Sequence, residues 1–344
     1  MASGTVQSYN TLNYSGMLYA KGDEKTPLLT AIGGNRKLTD HVQFTTGQEY
    51  DAYVASAQPE ITETASLTAP SPDYVTRSQK ENVTQIFHKA VAISYAKMSN
   101  MGTLSGINVA GQVANPADEL DFQVAQAMKR VRQDVEYTLV NGVYQKASND
   151  GEANKTRGLN TAITSSTKAM ASKPVGYWDV VDLMTTMDSH GADLDGLVLW
   201  CDRKVKLMIN ASAVENGLTV IPADRTINGI AVDKLETPDG TFYIREGKYL
   251  PANTAFLLNL SVLAPVEMNV PGKGNFFLEQ LAKTGAGEQY QIFGQLGLDH
   301  GPEWMHGKFT GIKASFEAPK YNKKVFVVNS ADAPLNTKSA EAKG

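Results

Sequence analysis

One stretch shows helical spacing of apolar positions more clearly than any other. Leu120, Val124, Ala127, Val131, Val135 and Thr138/Leu139 fall on one face, while Lys129, Arg130, Gln133, Asp134 and Glu136 lie mainly on the other. Asn115 is placed to cap this helix, Pro116 sits at its first position, and Asp118 follows three residues after the cap. Asp118, Glu119 and Asp121 put negative charge in the first turn, where the helix dipole favours it, and Asn141-Gly142 is a stop signal. The pattern predicts a helix over 116–141, about 38 Å long at roughly 1.5 Å per residue, a strut rather than an ordinary globular helix. A second helix is predicted over 177–190 from Val180, Leu183, Met184 and Met187. Leu197-Val198-Leu199-Trp200 reads as a buried strand, and Asp202 as the cap of a helix running to Ala213. Short strands are predicted around 229–235, 241–245 and 255–260, and two final strands over 288–300 and 307–316. In residues 83–95, Val83, Phe87, Val91, Ile93 and Tyr95 share one side, the pattern of a strand returning into a core. The mixture is α+β.

Between these elements the pattern fades. Residues 1–40 are polar and Gly-rich apart from Leu28-Leu29-Thr30-Ala31-Ile32, an apolar patch able to dock, and read as an extended arm. Residues 41–82 are rich in Tyr and Thr, have no helical period and are broken by Pro59, Pro70 and Pro72. Strand-like pieces (Val42-Gln43-Phe44, Tyr53-Val54, Ile61-Thr62) permit a long two-stranded excursion, two strands of about 15 residues reaching roughly 50 Å. Such a hairpin is marginal alone and needs support from another subunit; a plain surface loop fits the same residues. Residues 143–175 read as a long polar loop, and from about 320 the chain is a polar tail.

Composition narrows the function more by exclusion than by signal. In 344 residues, 42% are hydrophobic and 20% charged, ordinary for a folded chain with room for two packed lobes. No apolar run approaches the roughly 20 residues of a membrane helix. The polar Met1-Ala2-Ser3-Gly4-Thr5 start is unlike a signal peptide, which predicts a protein that stays in the cytosol where it is made. A formal charge of -4 is unlike a chain that grips nucleic acid, though it suits one that merely encloses it. The single cysteine, Cys201, follows an apolar strand and reads as a small buried hydrophobe. The Trp200-Cys201-Asp202-Arg203 step has no glycine, so no dinucleotide or phosphate fingerprint stands there, and Gly285-Ala286-Gly287 reads as a tight turn. Asp193-Leu194-Asp195-Gly196 lacks both key ligands of a calcium loop and reads as a turn. Asp299, His300, Glu303 and His306 form the one dense group of metal-ligand types, but the Gly301-Pro302 break and the spacing favour surface or loop histidines. No catalytic, cofactor or metal residue is assigned; an enzyme with a dispersed site remains a rival reading.

Five blocks, in order, give the chain a family likeness. They are Lys25-Thr26-Pro27-Leu28-Leu29; Asn82-Val83-Thr84-Gln85-Ile86-Phe87; Glu119-Leu120-Asp121-Phe122-Gln123-Val124-Ala125 continuing to Asp134-Val135-Glu136-Tyr137-Thr138-Leu139-Val140-Asn141-Gly142; Thr156-Arg157-Gly158-Leu159; and Leu281-Ala282-Lys283-Thr284-Gly285. Over roughly residues 25–300 the chain resembles the major capsid proteins of tailed phages with the HK-97-like fold, in the SU-10-like branch. The resemblance implies an anatomy: an N-terminal arm (1–40), an extended loop lying over a neighbouring subunit (41–82), and a peripheral domain (83–185) with its spine helix at 116–141. An axial domain (186–285), return strands of the peripheral domain (286–320) and a polar tail (321–344) complete it. It implies hexamers and pentamers in an icosahedral shell around double-stranded DNA, without sequence-specific binding, cofactor or membrane. The short arm points to a separate scaffolding protein or to assembly without one; a portal, with or without a decoration protein, is a further partner, and assembly is expected in the host cytoplasm before residence in the virion. Interface candidates are Tyr50, Tyr53, Glu60, Glu63, Arg77, Arg130 and Glu136. An encapsulin-type shell and another phage structural protein, such as a tail component, are the structural alternatives.

Overall fold

The computed structural model describes residues 24–96, 119–215, 221–227, 230–237 and 240–317. The expected helix cap at Asn115-Pro116, most of the arm and the tail from 321 lie outside these residues. In chain order the elements are α1 (Pro27–Ile32), β1 (Lys37–Leu38), β2 (Gln43–Tyr50), α2 (Glu63–Ser66), β3 (Arg77–Val83), β4 (Gln85–Ser94), α3 (Glu119–Asn141), α4 (Leu159–Ala162), β5 (Thr167–Ala169), α5 (Tyr177–Ser189), β6 (Leu197–Cys201) and α6 (Arg203–Glu215). The second half gives β7 (Ile221–Ile227), β8 (Ile230–Thr237), β9 (Gly240–Glu246), β10 (Ala255–Leu258), β11 (Ala264–Glu267), β12 (Phe277–Gln280), β13 (Gly287–Asp299) and β14 (Gly307–Thr310).

The described residues form three sheets. A five-stranded sheet runs β1-β11-β13-β12, with β4 also on β13; a seven-stranded sheet runs β5-β14-β10-β6-β9-β8-β7; and β2 pairs β3 alone. The long strand β13 is the spine of the first sheet, pairing antiparallel with β4 from Gly287↔Ser94 to Leu296↔Gln85. The odd-numbered residues of β4 (Phe87, Val91, Ile93) face inward onto the buried stripe of α3, Ala127, Val131, Val135 and Leu139. Strand β6 is buried on both sides, as its continuous apolar run requires. Val198 and Trp200 join the core under α3, while Leu197, Leu199 and Cys201 pack with α5 and α6 on the opposite side. The seven-stranded sheet therefore separates two cores, and the first is shared with α1, α3 and the five-stranded sheet. Burial pushes the Cys201 thiol pKa well above its usual value, so this cysteine is inert packing.

Several sequence expectations need correction. The 143–175 loop contains α4 and β5, the latter running parallel to β14. Thr-Lys-Ala has no apolar alternation, so β5 exists only because β14 offers it a ladder. The last strand ends at Thr310, where Gly311 turns with φ +65°. The 41–82 excursion is a shorter ladder than expected: Tyr53-Val54 and Ile61-Thr62 are not strands, and Thr62 instead caps α2 by accepting the Ala65 N–H at 3.2 Å. Sheet membership also departs from a boundary at 285, since β11 and β12 join the five-stranded sheet and β14 joins the seven-stranded one.

Candidate functional site

The residues that could act on a neighbour lie on the excursion and along α3. Strands β2 and β3 pair from Gln43↔Val83 to Tyr50↔Arg77, with a bulge between Thr46 and Glu49. Gly47 makes the bulge possible: its φ is +58°, and a Cβ there would stand 2.9 Å from the Gly301 carbonyl oxygen. Beyond the ladder, residues 51–76 are exposed throughout. The side-chain hydrogen bonds within this segment are local: Thr62 and Asp73 accept from the Ala65 and Tyr74 N–H groups, and Ser66 donates to the Glu63 carbonyl. Tyr53 (79% exposed), Val54, Ile61, Leu67 (85%), Tyr74 and Val75 present apolar surface that the described residues leave uncovered. The same segment holds Asp51, Glu60, Glu63 and Asp73 and no basic residue.

The base of the excursion, by contrast, is locked. Asp299 accepts a bond from Thr46 Oγ1 and pairs with Lys37 Nζ of β1, both at 2.6 Å. Glu303 accepts from the Thr164 and Ser165 N–H groups and both hydroxyls, and Lys80 of β3 stands 3.5 Å away. Burial alone would raise the Glu303 pKa; the bonds from Ser165 and Thr164 outweigh it and hold the carboxyl down at about 2. Trp304 donates its indole N–H to Glu49 at 2.9 Å. His300 and His306 are not surface histidines: both are fully buried beneath this base. His306 Nδ1 accepts the Asn259 N–H at 3.2 Å and Nε2 donates to the His300 carbonyl at 2.9 Å, which fixes a neutral tautomer with no lone pair left for a metal. Burial lowers its pKa to about 4. No group of His, Cys, Asp and Glu among the described residues could hold a metal ion.

Four of the five family blocks supply joints. Asn82 donates Nδ2–H to the Leu298 carbonyl at 2.7 Å and accepts the Arg157 N–H at 2.7 Å, tying β3, β13 and the 156–158 segment together. Gly142 and Gly158 cross so closely that a Cβ on Gly158 would lie 2.5 Å from the Gly142 nitrogen. Leu28 and Leu29 donate their N–H groups to the two oxygens of Glu136, each at 2.7 Å.

Of the interface candidates, Tyr50, Tyr53, Glu60, Glu63 and Arg77 stand exposed on the excursion, and Arg130 stands exposed on α3. Glu136 is a correction: it has no exposed surface and belongs to the arm joint of its own subunit. One position C-terminal to Val135, it shares the inward arc that Leu139 and Val140 extend, where a carboxylate reads on sequence as surface. Lys129, Arg130 and Arg132 form an exposed basic block on α3, with Lys129 bound to Glu24 at 2.7 Å and neither arginine in an ion pair among the described residues. The sequence marks Asn82 within a family block and Glu303 and His306 as metal-ligand types, but their roles as joints leave no periodic trace.

The family model of the SU10 major capsid protein matches residues 1–313. The chain belongs to that family. It is therefore a major capsid protein, a subunit of the phage head shell and a component of the virion capsid. Solved structures agree on the HK-97-like fold. A cyanophage A-1(L) capsid asymmetric unit matches with TM-score 0.63 at 11% identity, covering 91% of this chain and 100% of that one. The holo-SrpI encapsulin complex of Synechococcus elongatus matches with TM-score 0.60 at 10% identity, covering 93% and 100%. A chain of Mycobacterium phage Patience matches with TM-score 0.52 at 14% identity, covering 86% and 87%. No curated protein matches. At these identities the structural likeness shows fold alone and does not separate a phage head from an encapsulin shell; the family match at sequence level favours the phage head.

Proposed function

We propose that this capsid subunit closes into hexamers and pentamers by laying its 51–76 segment on the α3 helix of an adjacent copy, and that the resulting shell encloses double-stranded DNA. The observation that carries the reading is the segment itself. It presents apolar side chains and four carboxylates to solvent, and none of its own residues is basic. Exposed apolar surface of this kind marks an interaction site. Its charge calls for a basic counterpart, and the Lys129, Arg130 and Arg132 block supplies one on every copy. A contact between two different patches propagates around a ring and closes it at a symmetry axis. Tyr50 and Arg77, at the mouth of the ladder, would meet the neighbour first. The five-stranded sheet with α3 corresponds to the peripheral domain and the seven-stranded sheet to the axial domain. Assembly is assigned to the host cytoplasm, with a separate scaffolding protein, a portal and a decoration protein as partners. Charge reversal tests the pairing. The double variant Glu60→Lys/Glu63→Lys should stop assembly of an otherwise folded subunit, and Arg130→Glu/Arg132→Glu on the same chain should restore part of it. Assembly unaffected by the first pair would sink the proposed contact.

A further inference from the structure

Two buried ionisable groups near the arm, Arg245 and Glu136, are within electrostatic reach of each other and have no hydrogen bond or ion pair between them. Arg245, on β9, is 3% exposed; its guanidinium lies 4.8 Å over the Trp200 ring, and Nε, Nη1 and Nη2 have no hydrogen-bond partner among the described residues. Strand alternation puts it on the side of Tyr243, toward α3. Glu136 approaches from α3, and its charge acts on Arg245, but both its oxygens are taken by the Leu28 and Leu29 N–H groups. Arg132, on the same helix as Glu136, also acts on that carboxylate.

A guanidinium carries five N–H donors and keeps its charge in any protein environment, so leaving all of them unmet in the interior is unfavourable. We propose that Arg245 is the reserve partner of Glu136: the first turn of α1 and the Arg245 guanidinium compete for one buried carboxylate, which makes α1 a releasable latch on α3. In the closed state the backbone amides hold the carboxylate, and Arg245 has only the π face of Trp200. When Leu28 and Leu29 leave, the carboxylate turns to the guanidinium and neither charge is stranded. The unmet donors burden the closed state alone, opposing the burial of Leu28 and Ile32 that keeps the arm down. A plain supporting role for Arg245, in which its field steadies Glu136 beneath the arm, predicts the opposite sign for its removal.

Hydrogen–deuterium exchange of the full-length chain separates the two. It is read at the Leu28 and Leu29 amides, with the Ile292 and Leu298 amides of β13 as the control for global folding. Glu136→Gln should speed exchange at Leu28 and Leu29 about tenfold. Arg245→Met should slow it several-fold, with the β13 amides unchanged. Arg245→Gln, which keeps polarity and drops the charge, should slow it too and guards against a misfolded methionine variant. Exchange at Leu28 and Leu29 that is unchanged or faster in the Arg245 variants would overturn the latch, as would loss of fold in both.

Discussion

Asp299, Glu303 and His306 show how few side chains fix the base of the excursion, and their titration makes the point testable. The Glu303 pKa is held down at about 2 by Ser165 and Thr164 against the opposing effect of burial. Its contribution is therefore complete above the unfolded carboxylate value of 4.5 and is lost as pH falls toward 2. Glu303→Gln should cost roughly 2 kcal/mol at neutral pH, and the gap to the unaltered protein should close on acidification, as denaturant titrations at several pH values would show. His306 adds to acid sensitivity. Burial lowers its pKa from 6.5 to about 4, so the unfolded chain binds the extra proton between those values and stability falls as pH drops through them. Glu136 runs the other way, since burial raises its pKa from 4.5 to about 7, and its contribution weakens as pH rises through that range. The crossing of Gly142 and Gly158 gives a prediction with no titration in it. Gly158→Ala drives a Cβ to 2.5 Å from backbone and should cost roughly 3 kcal/mol or more, read as a loss of soluble folded protein. Little of this was legible in the sequence. A glycine after an asparagine signals a stop, but not the second glycine that crosses it, and Glu136 reads as surface because periodicity cannot anticipate a carboxylate capping a distant arm.

The elements themselves were easier to read, because their signals are local and repeated. The stripe of α3, the buried run of β6 and the inward side of β4 were all present as spacing. The weak ones were strands that exist by pairing: β5 has no pattern of its own, and the excursion's ladder ends at Tyr50 and Arg77 although strand-like residues continue beyond. This changes how the excursion should be removed. Deleting 45–80 takes away Thr46, Gly47, Glu49 and Lys80 and uncovers the buried Asp299–His306 segment. Replacing 52–75 with Asn-Gly keeps the ladder and closes it with a favoured hairpin turn. We expect that variant to stay monomeric and folded, with an unchanged circular dichroism spectrum and no rings or shells in the microscope. Where the excursion docks through charge, as proposed, assembly of the intact chain should also weaken as salt is raised across the range in which the Debye length falls from about 10 Å to about 3 Å. Light scattering that is indifferent to salt would point to apolar contact alone.

At the scale of the whole molecule, the two sheets, α1 and α3 share one core, while the 51–76 segment stands exposed outside it. That division suits a protein whose work is repetition. Many modest contacts, each closing around a symmetry axis, add up to a shell without disulfides, and the one cysteine is buried in a core where it cannot link subunits. Whether the subunits close is the central claim, and electron microscopy of the purified full-length chain, alone and with a scaffolding protein, tests it most directly. The account predicts capsomer rings or closed icosahedral shells; persistent monomers under both conditions, or open tubes, would contradict it.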